Sequence, residues 1–242
     1  MRVREIFTVA ELARVCADDA MIVWAGQGLG GPVRAWHNGD AVAIAAPDLS
    51  QRDRLSVWGP IEELVPLVEQ VLAEVGTSFR PFGEEALVRE LVERIPRLRF
   101  GAAFGWMDTA TAPTVTAAAE WLDGDAGVEA VLISAAPGSY AWPGRSGVRR
   151  WAGVMDDSGA LLSIAADAWS APEVGFVAGV ATLPAARGQG LSRRVCAFVT
   201  ADLLKRHGRV ALMVDAANAA AISVYQRLGY TYRAVAAASA AA

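Results

Sequence analysis

The residues best placed to do chemistry are Arg187, Gly188, Gln189 and Gly190, between an apolar run beginning at Glu173 and an amphipathic run from Leu191 to His207. Small residues at a helix start leave its first N–H groups open, and those groups with the helix dipole attract anions. In the following segment Leu191, Val195, Val199 and Leu203 lie four apart, a core-facing stripe widened by Phe198. Lys205, Arg206 and His207 suit the C-terminal end of that helix, and Gly208 takes the C-cap place. Arg193 and Arg194, with Arg187 just ahead, instead sit at the positive end of the dipole, where each costs about 0.3–1 kcal/mol if exposed. A bound polyanion reverses that sign; without one they are three solvated arginines.

Other chemistries find less in the sequence. His37 and His207 are the only histidines, and neither has a cysteine or second histidine at ligand spacing, so no metal is expected. There is no G-x-S-x-G, and Ser146 is a loop serine. Lys205, the only lysine, follows Leu204 rather than a glycine, which excludes a Walker A loop. Gly26-Gln27-Gly28-Leu29-Gly30-Gly31 matches the dinucleotide pattern formally, but Pro32 and VRAWH follow where a helix would have to open. A loop is expected there.

The elements that must position the turn can be read in order. Thr8 and Glu11 form a capping box for a helix over Val9–Ala17, and MIVWA reads as a strand. VRAWH and DAVAIAA flank the hairpin signal Asn38-Gly39. LSVWG is a strand; a helix opens at Pro60 with Glu62 and Glu63 in its first turn, although Pro66 lies close to that start. A helix over Glu84–Ile95 and the strand RFGAAFGWM follow, then a linker over Thr109–Thr114. VTAAAEWL reads as extended, Val128–Ala135 as a short helix, and Pro137–Gly147 as a loop. VRRWAGVMD and ALLSIAADAW flank a turn at Asp157-Ser158-Gly159. The turn-bearing stretch comes next, then the strand VALMVDA, a helix over Ala219–Leu228 and a last strand, YTYRAVA, with a frayed alanine-rich end. Both halves thus run hairpin, strand, helix, which suggests a degenerate internal repeat whose second copy alone can hold an anion.

Bulk composition bounds the rest. The 242 residues suffice for one large domain or two small ones. A net charge of -4 argues against a nucleic-acid-coating protein. Two cysteines, Cys16 and Cys196, read as buried thiols of a reducing, cytoplasmic protein. The N-terminus lacks a signal-peptide core, and no apolar run reaches membrane-spanning length despite a mean hydropathy of +0.30.

TLPAARGQGLS resembles motif A of the GNAT superfamily of N-acetyltransferases, in which a strand leads into R/Q-x-x-G-x-G/A and a helix. Arg187-Gly188-Gln189-Gly190-Leu191 fits, and Ser192 departs from Gly/Ala while staying small. Asn218 through Tyr230 resembles the family's N-x-x-A-x-x-x-Y-x-x-x-G-F/Y signature, with Tyr225 and Gly229 in register. The resemblance covers roughly Val115 to the C-terminus. It implies a mixed, mostly antiparallel α/β (α+β) sheet with flanking helices, arranged as a degenerate GNAT-like half over 1–110 and an acetyl-CoA-binding domain over 111–242.

For the site, the resemblance implies that acetyl-CoA's pyrophosphate sits on the N–H groups of Gly188, Gln189, Gly190, Leu191 and Ser192, assisted by Arg187. The strand ending Val180-Ala181-Thr182 would splay from VALMVDA and pair with the pantetheine, a backbone N–H near Val180 or Ala181 polarising the thioester. Asn218 is a helix N-cap that in the family can also touch the cofactor. Tyr225 is the implied general acid for the departing thiolate, a phenol of pKa about 10 facing a thiol of about 8.5. For the base that frees the acceptor amine, Glu173 is the candidate and Asp167 the reserve; each is otherwise a carboxylate at a strand end. The acceptor itself is unread, with Tyr140, Trp142 and Arg145 either gripping it or packing within the protein. A longer acyl group, or a non-catalytic acyl-CoA-sensing module, remains the alternative, and the oligomeric state is open.

Overall fold

Burial and capping shape the N-terminal elements. The computed structural model describes residues 3–114 and 118–240. Helix α1 (Val9–Val15) starts at Thr8, whose hydroxyl accepts from Glu11 N. MIVWA is not a strand: α2 (Ala20–Ala25) forms there, with Asp19 accepting from Met21 N and Ile22 N. Every residue from Met21 to Ala25 is buried, so hydrophobicity all round erased the periodicity that separates a short helix from a strand.

The chain divides into two compact units: Met1–Trp106 with Asp215–Ala217 and Arg233–Ala242, and Met107–Val214 with Asn218–Tyr232. In the first, β1 (Arg4–Ile6), β2 (Arg34–Asn38), β3 (Ala41–Ala46) and β4 (Arg54–Trp58) pair antiparallel in succession. The β2–β3 hairpin turns at Gly39, with φ of 58°. The glycine cluster between α2 and β2 forms turns, as its lack of a following helix required. Helix α3 (Ile61–Val75) then runs through Pro66 and buries Leu64, Leu67, Val68, Val71 and Leu72 against the sheet. It returns the chain to β5 (Arg80–Glu84), parallel to β4. That strand, RPFGE, carries too much proline and glycine to read as one. Helix α4 (Glu85–Arg94) and β6 (Leu98–Thr109) follow.

The second unit repeats this order. After β7 (Glu120–Trp121) and α5 (Val128–Ala135), β8 (Val148–Met155) and β9 (Leu161–Ala168) form an antiparallel hairpin. Of the segment VTAAAEWL, expected to be extended, Glu120–Trp121 form a strand, and Val115 to Ala117 lie outside the described residues. Next come β10 (Gly175–Thr182), α6 (Leu191–His207), β11 (Val210–Asp215) parallel to β10, and α7 (Ala219–Arg227). Helix α6 supplies the core of this unit, placing Leu191, Val195, Val199 and Leu203 against Val177, Val210 and Leu212. The last strand, β12 (Thr231–Ala240), does not fray at its alanines. Val235, Ala236 and Ala237 pair with Glu84, Gly83 and Phe82 of β5, and small side chains suit that buried sheet position. Both units therefore run hairpin, strand, helix, parallel strand, helix, and the architecture is mixed α/β with mostly antiparallel pairing.

Candidate active site

The site is built where β10 leaves β11. The two strands pair only at Gly175↔Val210, Phe176↔Ala211 and Val177↔Leu212. Ala178, Gly179 and Val180 beyond that point are half-buried, whereas Gly175 to Val177 are fully buried. On its other edge β10 carries a bulge against β9: Ala178↔Ala166 is followed by Ala181↔Ile164, one residue more on β10 than on β9. Gly179 occupies the bulge with φ of 61°. A Cβ there would lie 2.5 Å from Trp151 Cη2 and 3.1 Å from Ala141 Cβ, so both the dihedral and the space demand glycine. The bulge bends the strand away from β11 and leaves the backbone of Ala178–Val180 without a strand partner on that side. Sequence reading found the splay through resemblance but gave Gly179 no role; a lone glycine inside a strand run was the available signal.

At the mouth of the splay the chain makes a 3₁₀ turn, Pro184–Ala186, and enters α6 through two left-handed glycines, Gly188 (φ 79°) and Gly190 (φ 73°). A Cβ on either would meet nothing within 4 Å, so the surface above them is open. Gly190 is the N-cap; no side chain caps the helix, and its first turn carries no acidic residue. The N–H groups of Leu191, Ser192 and Arg193 are therefore available to an anion. Arg187, Gln189 and Arg193 are exposed beside them, with Arg187 Nε 3.4 Å from Thr182 O and Arg194 donating to Ala118 O. Ser163 Oγ lies 2.8 Å from Thr182 Oγ1 and fixes the strand end below the turn.

Tyr225 stands on α7 in the same unit's core, 6% exposed, with its ring centroid 5.9 Å from that of Tyr230. Burial, then the neighbouring Cys196 and Tyr230, push its phenol well above the usual tyrosine range. No protein atom among the described residues hydrogen-bonds that phenol, whereas Tyr230 OH is bound to Thr200 Oγ1 at 2.8 Å. The two tyrosines thus differ: one is a satisfied core group, the other keeps a protonated, uncommitted hydroxyl. Asn218 Oδ1 accepts from Ala221 N and caps α7, so its structural role is realised.

Glu173 is set apart from these residues. It is exposed and precedes the paired end of β10. At about 3.3 Å per residue, Val180 is already roughly 16 Å beyond Gly175. Its carboxylate therefore lies at the opposite end of β10 from Val180–Thr182. Asp167 lies in a different setting. It is fully buried, accepts from Ser170 Oγ at 2.6 Å and from Arg206 at 2.9 Å, and has Arg150 Nε at 3.6 Å. Ser170 Oγ in turn accepts from Phe176 N, so this network holds the start of β10. Glu173 thus lies at the far end of β10 from the splay, and Asp167 is committed to a buried network; neither relation is visible in local pattern.

Of the loop residues, Ala141 packs beside Gly179, while Tyr140 is half exposed and Trp142 donates through Nε1 to Ser139 O. Cys16 and Cys196 are both free and buried. No group of metal-ligating side chains occurs among the described residues.

Comparison with known proteins agrees with this geometry. A GCN5-related N-acetyltransferase from Kribbella flavida superposes with a TM-score of 0.61 at 19% identity, covering 95% of each chain. One from Sphaerobacter thermophilus gives 0.58 at 18%, covering 98% of this chain and 94% of that one. A tandem GNAT protein from the clavulanic acid biosynthesis pathway gives 0.50 at 12%, covering 100% and 99%. These likenesses show a shared fold. The family model described as FR47-like protein matches residues 153–237, and a mycothiol acetyltransferase from Nocardioides is 31% identical over 225 residues, 86% of this chain and 68% of that protein. The chain belongs to the GNAT superfamily of N-acetyltransferases.

Proposed function

We propose that the protein transfers an acetyl group from acetyl-CoA to a primary amine of a small molecule or peptide, by direct attack in a ternary complex. The observation that carries this is the conjunction of an open, uncapped α6 start with an unpaired β10 edge beginning at the Gly179 bulge. The pyrophosphate lies on the N–H groups from Gly188 to Ser192, its charge offset by Arg187 and Arg193. The pantetheine amides pair with the free edge of Val180–Thr182, as an added strand would. A backbone N–H near Val180 or Ala181 donates to the thioester oxygen as it gains charge. The neutral amine attacks the carbonyl carbon, the C–S bond breaks, and Tyr225 protonates the leaving thiolate. The amine's proton passes to water at the half-buried edge of Ala178–Val180. Acetyl as the group transferred is supported by the name of the Nocardioides relative.

The test is thiol release from acetyl-CoA against a panel of amino acids, polyamines, aminoglycosides and peptides. Release that requires both acetyl-CoA and an amine is expected. Binding of CoA with no acceptor-dependent release across the panel points to a sensing module instead.

A further inference from the structure

The first unit contains its own pair of parallel strands after a hairpin. β4 and β5 pair at Arg54↔Arg80, Leu55↔Pro81 and Ser56↔Phe82, and no further, the same three-pair register as β10 and β11. The turn above differs. A Cβ on Gly59 (φ 105°) would lie 2.5 Å from Asp40 O and 2.7 Å from Ala41 Cα, so that turn is closed against the hairpin backbone. Pro60 caps α3, Glu62 and Glu63 fill its first turn, and the Glu63 carboxylate accepts from Asp40 N at 2.8 Å. An acidic, occupied helix start repels a pyrophosphate.

A cavity of about 410 Å³ lies at the end of these strands, bounded by Trp58, Glu84 and Glu90, with Met21, Val57 and Leu87 as its apolar wall. Its charges can be followed one by one. Arg233, also on the wall, is bound by both oxygens of Asp19. Glu90 is shared with Arg94 at 2.7 Å. Glu84 has no ion-pair partner among the described residues. Arg94 is also shared with Glu62, so the wall is net negative, and with an indole and an apolar face it suits a cation with an apolar body.

We propose that this cavity of the first unit binds a small monovalent organic ammonium ion, seated between the Trp58 ring and the Glu84 carboxylate, and excludes CoA. The proposal rests on the cavity and not on catalysis at the second unit.

Calorimetry on the full chain with benzyltrimethylammonium tests it, because a quaternary nitrogen cannot accept an acetyl group and so separates this cavity from any acceptor site. One saturable site per chain is expected, retained under saturating acetyl-CoA. Glu84→Gln and Trp58→Leu should each weaken it by about three- to tenfold. Glu84 is exposed, so its amide variant should keep the parent thermal midpoint and report on binding alone. No saturable heat, undiminished binding in Glu84→Gln, or two acetyl-CoA bound per chain would each overturn the proposal. Failure of acetyl transfer with ammonium binding intact would count against the proposed reaction only.

Discussion

At the scale of single residues, Tyr225 and Gly179 carry opposite kinds of function. As the proposed acid, Tyr225 would act through a phenol that stays protonated: burial raises its pKa, so an alkaline limb in the rate should not arise from this group below about pH 10. Tyr225→Phe should lower kcat by about 10²–10⁴-fold and leave acetyl-CoA affinity near the parent value, as steady-state kinetics and calorimetry will show. Gly179 acts through shape. Gly179→Ala combines a left-handed dihedral with overlap on Trp151, so a loss of about 2–3 kcal/mol in urea unfolding is expected. Gly190→Ala has the same kind of dihedral but open space around it, and should cost only about 1 kcal/mol. The helix that Asn218 caps and Tyr225 occupies was legible because its signals are local in sequence. Gly179 was not, because its need depends on Trp151 and Ala141, which other elements deliver.

At the scale of elements, the start of α6 and the root of β10 divide the work. The start is electrostatic: Arg187→Ala should raise the KM for acetyl-CoA about tenfold or more, and the difference from the parent should shrink as salt is added. The root is structural. Asp167 is buried among Arg150, Arg206 and Ser170, and both arginines also pair with Asp202, so Asp167→Asn weakens the network and should cost about 1–3 kcal/mol of stability. The exposed Glu173 should tolerate Gln with kcat and stability unchanged. Sequence pattern found α6 with its stripe, its glycines and its misplaced arginines, since all lie within a few turns of one helix. It mistook α2 for a strand and overlooked β5, because a uniformly buried run has no period and Pro81 with Gly83 disguises a paired strand.

At the scale of the whole molecule, one repeated plan has been used twice with different chemistry at the strand parting. The second copy is open at Gly188 and Gly190; the first is closed at Gly59 and acidic at Glu62 and Glu63. The repeat was visible as hairpin, strand and helix, but the shared three-pair register required coordinates. Stability should follow the buried acids of the second unit. Burial raises Cys196 to about 12 and lifts Tyr225 and Tyr230 above their ordinary values. The unfolded chain therefore releases these protons first. The stability held by the neutral groups is complete below their unfolded values, about 8.5 for the thiol and 10 for the phenols. It falls progressively as pH rises past those values toward the folded ones, and urea midpoints taken from pH 8 to 11 should decline accordingly.

The most direct measurement is acceptor-dependent thiol release from acetyl-CoA by the parent and by Tyr225→Phe, with acetyl-CoA binding measured in parallel. The account predicts release that requires an amine, collapses in Tyr225→Phe, and accompanies one acetyl-CoA bound per chain in both proteins. Release that is unchanged in Tyr225→Phe, or acetyl-CoA binding that no amine converts into release, would contradict it.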